Sequence, residues 1–171
     1  MQNIITLQAN NLELDCIFTP KLQYLTYLNL SANPVRDTSM LKWQDQLDTL
    51  DLCSTNITCI DFVKPLFKLT KLSISLNQIV DISPITFVQN LYFLNVNECK
   101  ICNIELLSKL IELQHVYLRS NRILDVTPST AQKTYAILIL PITASKTSKT
   151  QQFESKSDML LQTNHTRKNM N

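Results

Sequence analysis

The stretch LTKLSISLNQI, residues 69–79, is one of five copies of the pattern L-x-x-L-x-L-x-x-N-x-L, in which other apolar residues replace some leucines and Thr or Cys twice replaces Asn. The copies begin 22 residues apart, at Leu25, Leu47, Leu69, Leu91 and Leu113. A fixed period between about 20 and 50 residues is the signature of a solenoid, in which each repeat packs only against its neighbours. The pattern therefore predicts a stack of repeats.

An imperfect copy flanks the array at each end. The first fits a unit that starts near residue 2, and the last fits one that starts near residue 135; their pattern residues are Ile5, Leu7, Asn10 and Leu12, and Tyr135, Leu138, Leu140 and Thr143. We expect imperfect units at the ends because end units have a neighbour on one side only. The prediction is a repeat domain over residues 2–145 with about six to seven rungs.

Residues 146–171 have a different composition. They are rich in Lys, Ser, Thr, Gln and Asn, and Phe153 is their single aromatic residue. A segment with so little apolar surface cannot form a packed core. We predict a disordered basic tail there.

Glycine is absent from all 171 residues. Phosphate-binding loops, the dinucleotide fingerprint and the nucleophile elbow need glycine for a positive φ angle or for close approach of the backbone. The chain also has only two histidines, and Cys99-x-x-Cys102 has no second cysteine pair at zinc-ligand spacing. We therefore predict a protein that is not an enzyme, with no catalytic residues, no metal and no cofactor.

Apolar residues at positions 4 and 6 of each repeat alternate with polar ones, which predicts a short strand with one buried face. Stacking would place these strands side by side as a parallel sheet. Position 9 is an asparagine in most repeats, and its amide can donate to and accept from backbone groups of its own and the adjacent rung. We predict a structural column at Asn10, Asn33, Thr55, Asn77, Cys99 and Asn121, with Thr143 in the last unit.

The second half of each repeat leaves room only for short turns. Asp37, Asp81 and Asp125 share one column, and Pro84 and Pro128 share another. An Asp before a helical turn can bind its free N–H groups, and Pro suits a first turn. With the leucine pattern, this D-I-S-P type ending resembles the leucine-rich repeats of the regulatory subunit of protein phosphatase type one and of bacterial internalins. The resemblance covers residues 2 to about 130. It implies an α/β leucine-rich repeat solenoid with a curved parallel sheet on the concave face and short turns or 3-10 segments on the convex face.

The resemblance also implies that a protein partner docks on the concave sheet, where positions 3, 5, 7 and 8 point. The candidate protein-binding residues there are Tyr27, Lys71, Phe93, Glu98, His115, Tyr117 and Arg119. Phe93, His115 and Tyr117 should form one patch because adjacent strands lie about 4.8 Å apart. Aromatic residues and arginine are the usual anchors of interfaces. The rings could equally serve to pack one rung on the next.

The last unit would turn Ile137, Ile139 and Ile142 outward, which gives a surface for association, for the tail, or for a longer parent chain. We expect no nucleic-acid partner, because no basic stripe follows a folded face, and no membrane partner, because no apolar run of 18 residues occurs. The start of the sequence lacks a secretory pattern, and the cysteine count is odd, so we expect an intracellular, cytoplasmic protein. The predicted function is a protein interaction module. Alternatives are a regulatory subunit of a type-one phosphatase and a structural fragment of a larger repeat protein.

Overall fold

Seven short parallel strands form one open sheet, in the order in which they occur along the chain. The computed structural model describes residues 3–16 and 20–123 and the backbone of residues 136–138. The strands are β1 Thr6–Gln8, β2 Tyr27–Asn29, β3 Thr49–Asp51, β4 Lys71–Ser73, β5 Phe93–Asn95, β6 His115–Tyr117 and β7 Ala136–Leu138. From β2 to β6, position 3 of each repeat is paired with position 3 of the next. The strands and the solenoid are therefore those that the period predicts.

Short 3-10 segments return the chain from one strand to the next. They span Ser39–Trp43, Asp61–Val63, Ser83–Phe87 and Glu105–Lys109. The Asp column acts at their starts, since an Asp37 carboxylate oxygen accepts the Ser39 N–H at 2.8 Å and Asp81 accepts that of Ser83 at 2.7 Å. This bond lowers the pKa of Asp37. Asp125 and Pro128 lie outside the described residues.

The core lies between the sheet and the 3-10 segments. Position 4 residues such as Leu50, Leu72 and Leu94 are fully buried, as are Leu52 and Ile74 at position 6. One hydrophobic cluster contains the buried residues of all central repeats. Because burial of apolar surface is the main favourable term in folding, the leucine period sets both the core and the rise of one rung per repeat.

The first repeat lies two residues later than the sequence frame predicts. Thr6, rather than Ile4, is paired with Tyr27, and Gln8 is paired with Asn29. Leu12 therefore takes position 9, and Asn10 is not part of the asparagine column. Side chains alternate with a period of two, so a shift of two residues leaves the same face inward and the hydrophobic pattern cannot distinguish the two registers.

The last strand lies one residue earlier than predicted. Ala136 is paired with His115, and Ile137 is paired with Val116, which is buried. Ile137 thus corresponds in register to the inward column, and its prediction as an outward residue is wrong. The stretch Ala136–Leu140 is apolar throughout, so it carries no alternation that could fix the register. Ile139 and Ile142 lie outside the described residues, as do residues 146–171 of the predicted tail.

Each turn after a strand uses a left-handed residue without glycine. Position 8 has a positive φ angle in six repeats, at Asn11, Ala32, Ser54, Leu76, Glu98 and Ser120, with φ between 54° and 61°. This conformation brings Cβ close to the following carbonyl oxygen, which costs roughly 1–2 kcal/mol for a residue other than glycine. The fold therefore accepts a backbone penalty in each of these turns.

Candidate protein-binding surface

The outer sheet face is the side that carries positions 3 and 5 of the repeats. Strand pairing places Lys71, Phe93 and His115 in one row and Ser73, Asn95 and Tyr117 in the next. The side chains of positions 4 and 6 fill the core behind them. The backbone thus presents these six side chains on one surface.

Three of the candidate residues are in contact. The ring centroids of Phe93 and Tyr117 are 5.4 Å apart and those of Phe93 and His115 are 6.4 Å apart, with tilted planes in both pairs. Phe93 and Tyr117 are half-buried, and His115 is exposed. Such distances and angles are typical of favourable aromatic pairs.

A fourth ring, Tyr92, extends this cluster and was missed by the sequence frame. It lies edge-on to His115 with centroids 5.9 Å apart, and the Lys71 ammonium lies 5.6 Å from its ring centroid. The other residues at position 2 are Thr26, Asp48, Thr70 and Gln114, which are all polar. That polarity was the available signal that position 2 also faces solvent. We call Lys71, Tyr92, Phe93, His115 and Tyr117 the aromatic patch.

Arg119 and Glu98 lie beside the aromatic patch and are exposed. They are joined through the backbone, because the Glu98 N–H donates to the Arg119 carbonyl at 2.7 Å. The Arg119 N–H in turn donates to the side-chain oxygen of Asn97 at 2.7 Å. Between residues 3 and 123, the salt bridges found are Lys21 with Asp45 and Lys64 with Asp61. The backbone position of Arg119 is therefore fixed while its guanidinium stays exposed.

The N-terminal half of the outer sheet face is polar. Tyr27 is half-buried on β2, three strands from Phe93, and the ring contacts of the aromatic patch do not include it. On β3 and β4 the Cys53 thiol lies 2.9 Å from the Ser73 hydroxyl and accepts from Ser75 at 3.0 Å. Burial raises the pKa of Cys53, which keeps its thiol neutral. This half of the face offers small polar groups rather than interface anchors or an activated nucleophile.

The two cysteines of the C-x-x-C sequence have different surroundings. Cys99 is buried and its thiol donates to the Ile74 carbonyl at 3.4 Å, and burial raises its pKa. Cys102 is exposed, and its thiol donates to the Lys100 carbonyl at 3.6 Å. Over the described part of the chain, no three His, Cys, Asp or Glu side chains come together as metal ligands do. In the same part, no helix has the length and apolar character that crossing a membrane requires.

Asparagines at position 9 connect neighbouring repeats. In Asn33 and Asn121 the side-chain Nδ2 donates to a carbonyl of the previous repeat, Ala9 and Val96 respectively, at 2.7 Å. The Oδ1 of Asn33 accepts the N–H groups of Leu12 and Leu14, and that of Asn121 accepts the Ile101 N–H. Cys99 reaches the equivalent carbonyl, that of Ile74, from the same position. These side chains serve the turns of the solenoid and are not available to a partner.

Solved structures with a similar fold include internalin C2 of Listeria monocytogenes, with 30% sequence identity and a TM-score of 0.56, over 71% of this chain and 63% of that one. Internalin F of the same bacterium matches 71% of this chain and 43% of its own, at 23% identity and a TM-score of 0.60. A leucine-rich repeat protein of Leptospira interrogans matches 71% of this chain and 34% of its own, at 23% identity and a TM-score of 0.58.

This chain thus spans less than two thirds of the length of each of these three proteins. No family model matches the sequence. No curated protein matches it either.

Proposed function

We propose that this leucine-rich repeat protein, which resembles the internalins, binds a protein partner through the aromatic patch and the adjacent Arg119. Folds of this kind generally serve as protein interaction modules. The observation that carries the proposal is the concentration of Tyr92, Phe93, His115 and Tyr117 at one end of the outer sheet face, whereas the other end is polar.

The composition of the patch suits an interface. Aromatic side chains and arginine supply most of the binding energy in typical protein interfaces, usually from a few residues near the centre. Lys71 and Arg119 would lie at the rim, where charges affect association rate more than affinity. A protein surface with an acidic rim is therefore the proposed partner.

The rigidity of the sheet favours binding. Phe93, His115 and Tyr117 all belong to strands whose registers are fixed on both sides. Association costs free energy for every side chain or loop that it orders, and a pre-formed surface reduces that cost. This protein would then bind without a large conformational change.

The test is affinity capture from native cell extract with three chains: the unmodified protein, a Phe93→Ala, Tyr117→Ala variant and Arg119→Ala. Tyr27→Ala is the matched control, because Tyr27 is also a half-buried aromatic at position 3 but lies on β2. Circular dichroism first establishes that all variants fold.

We expect one protein to be retained by the unmodified chain and by Tyr27→Ala and to be lost from both patch variants. Arg119 is exposed, so its loss should weaken capture without changing the melting temperature. If the double variant retains the same proteins as the unmodified chain, the rings only pack one rung on the next and the proposal is wrong.

Absence of enzymatic activity and an intracellular location belong to the same proposal. All five cysteines are free thiols in the structure, which is compatible with a reducing compartment. None of the three structures named above is described as a phosphatase regulatory subunit, so that alternative keeps only the support of the sequence resemblance.

A further inference from the structure

Four successive turns each carry one exposed aromatic side chain. These turns lead into β2, β3, β4 and β5, and the side chains are Tyr24, Trp43, Phe67 and Phe87, with exposed fractions of 53, 52, 57 and 59%. The other Tyr, Phe and Trp side chains whose burial is described are half-buried or buried. We call these four residues the aromatic edge; it lies on the turns and not on the outer sheet face.

The repeat geometry brings neighbouring members of the aromatic edge together. Lys21 is the fourth residue before the leucine that opens its next repeat, Asp45 is the second, and their side chains meet at 2.6 Å. Trp43 and Phe67 occupy the same two positions one repeat later. The turn that carries Phe67 is tied to the next turn by the Asn90 amide, which donates to the Phe67 carbonyl at 2.9 Å. The exposed rings thus form one row across adjacent rungs.

Lysines accompany the rings. The Lys42 ammonium lies 5.1 Å from the Trp43 ring centroid and that of Lys64 lies 5.8 Å from the Phe87 ring centroid. Lys64 also pairs with Asp61 at 2.6 Å, and Lys68 donates to the Gln46 side-chain oxygen at 2.5 Å. The lysines therefore stand beside the rings and leave the ring edges exposed.

The aromatic edge is basic although the rest of the described chain is acidic. The five residues before each strand leucine contain five lysines and two acidic residues in all, namely Lys21, Lys42, Lys64, Lys68 and Lys109 against Asp45 and Glu112. Elsewhere in residues 3–16 and 20–123, five lysines and arginines face nine acidic residues. The positive charge is thus concentrated where the exposed rings are.

We propose that the aromatic edge docks on the surface of an anionic lipid bilayer. Trp, Tyr and Phe with neighbouring lysines suit the interface of a bilayer, because the rings enter the boundary of the acyl chains while the ammonium groups meet anionic headgroups. A second copy of the chain or its basic tail would bring like charges together. An acidic protein is less well matched, because protein interfaces are depleted in lysine and all five cations here are lysines.

The sequence alone predicts no membrane partner, because its apolar residues form no spanning segment. The members of the aromatic edge are separated by about 20 residues along the chain, a distance set by the repeat. Only stacking of the rungs assembles them into one surface.

The chain contains a single tryptophan, Trp43, so its emission reports directly on the aromatic edge. Vesicles of phosphatidylcholine mixed with phosphatidylserine should shift the emission to shorter wavelength and carry the full chain with them on sedimentation. Vesicles of phosphatidylcholine alone should do neither. Added salt should reverse binding, since the attraction to headgroups is screened.

Two pairs of substitutions isolate the rings. Phe67→Ser with Phe87→Ser should weaken vesicle binding about tenfold or more, because two rings no longer leave water. Leu76→Ser with Val80→Ser is the matched control, since these side chains are 51 and 55% exposed but lie outside the aromatic edge. Lys42→Glu with Lys68→Glu should abolish the preference for anionic vesicles, and circular dichroism checks the fold of each variant.

Absence of an emission shift and of sedimentation would overturn the proposal, as would equal weakening by the two serine pairs. Binding of a polyglutamate peptide without binding of vesicles would also overturn it, and would assign the aromatic edge to an acidic protein. The Phe93→Ala, Tyr117→Ala variant should bind vesicles normally, which separates this proposal from the function proposed for the aromatic patch.

Discussion

The side chain of Asn77 joins two repeats through the carbonyl oxygen of Leu52, to which its Nδ2 donates at 2.7 Å across 25 residues of chain. The same nitrogen donates to Ile74 within its own repeat at 3.0 Å. Its Oδ1 accepts the N–H groups of Thr55 and Ile57, each at 3.1 Å. Asn77 is buried, so none of these backbone groups can turn to water instead.

Asn77→Ala should therefore lower the free energy of unfolding by roughly 1–3 kcal/mol, since buried donors and acceptors lose their partners. Urea unfolding followed by circular dichroism measures the change. Asn90→Ala is the control, because the Asn90 amide is exposed and donates to one carbonyl only. Equal effects of the two substitutions would contradict a structural role for position 9.

Leu76→Gly should stabilise the protein by roughly 0.5–1 kcal/mol. Leu76 is exposed and has a φ angle of 58°, so glycine removes a Cβ penalty and little packing is lost. In Val80→Gly, at an exposed residue outside the positive-φ set, we expect destabilisation by roughly 0.5–1 kcal/mol from backbone entropy. Thermal melts of both variants give the comparison, and a lower melting temperature for Leu76→Gly would contradict the assignment of strain to position 8.

Stability should fall at alkaline pH because of Cys53 and Cys99. Burial raises the pKa of both thiols in the folded chain, so the unfolded chain loses these protons first. Their contribution to stability is then fully present below the ordinary thiol pKa of about 8.5 and is lost as pH rises through the higher folded values. The difference in urea midpoint between pH 7 and pH 10 should be smaller for a Cys53→Ala, Cys99→Ala variant than for the unmodified chain. An identical pH dependence in the two chains would refute the prediction.

The central repeats could be predicted from sequence because their constraints agree. Between Leu25 and Leu118 the leucine column, the asparagine column and the Asp column all point to one register. A register that satisfies three columns has no equal competitor, since a slip of one residue would turn the leucines into water.

The two ends could not be placed in this way. At the first repeat the alternation fixes the face but not the register, because Leu7 is inward in either frame. At β7 an unbroken apolar run removes even the choice of face. The repeats at the ends differ in length by one residue from those in the middle, which a fixed period cannot reveal.

The candidate surface was predicted only in part. Strand geometry is enough to bring Phe93, His115 and Tyr117 together, since all three lie at outward positions of adjacent repeats. Tyr92 was missed because position 2 precedes the strand, and its contact with Lys71 depends on how the chain enters β5. The aromatic edge was missed because turn positions follow no alternation that assigns them a face.

The contact between Phe93 and Tyr117 should contribute a measurable coupling energy. A double-mutant cycle with Phe93→Ala and Tyr117→Ala, measured by urea unfolding, should give an interaction of roughly 0.5–1.5 kcal/mol, as expected for tilted rings whose centroids are 5.4 Å apart. Tyr27→Ala combined with Phe93→Ala is the control, because β2 and β5 are separated by two strands and the effects of these substitutions should add. A coupling near zero for Phe93 and Tyr117 would mean that the rings do not stabilise the folded chain, and their exposure to a partner would then be the remaining physical reason for their presence on adjacent rungs. A coupling well above this range would instead indicate that both residues mainly hold the rungs together.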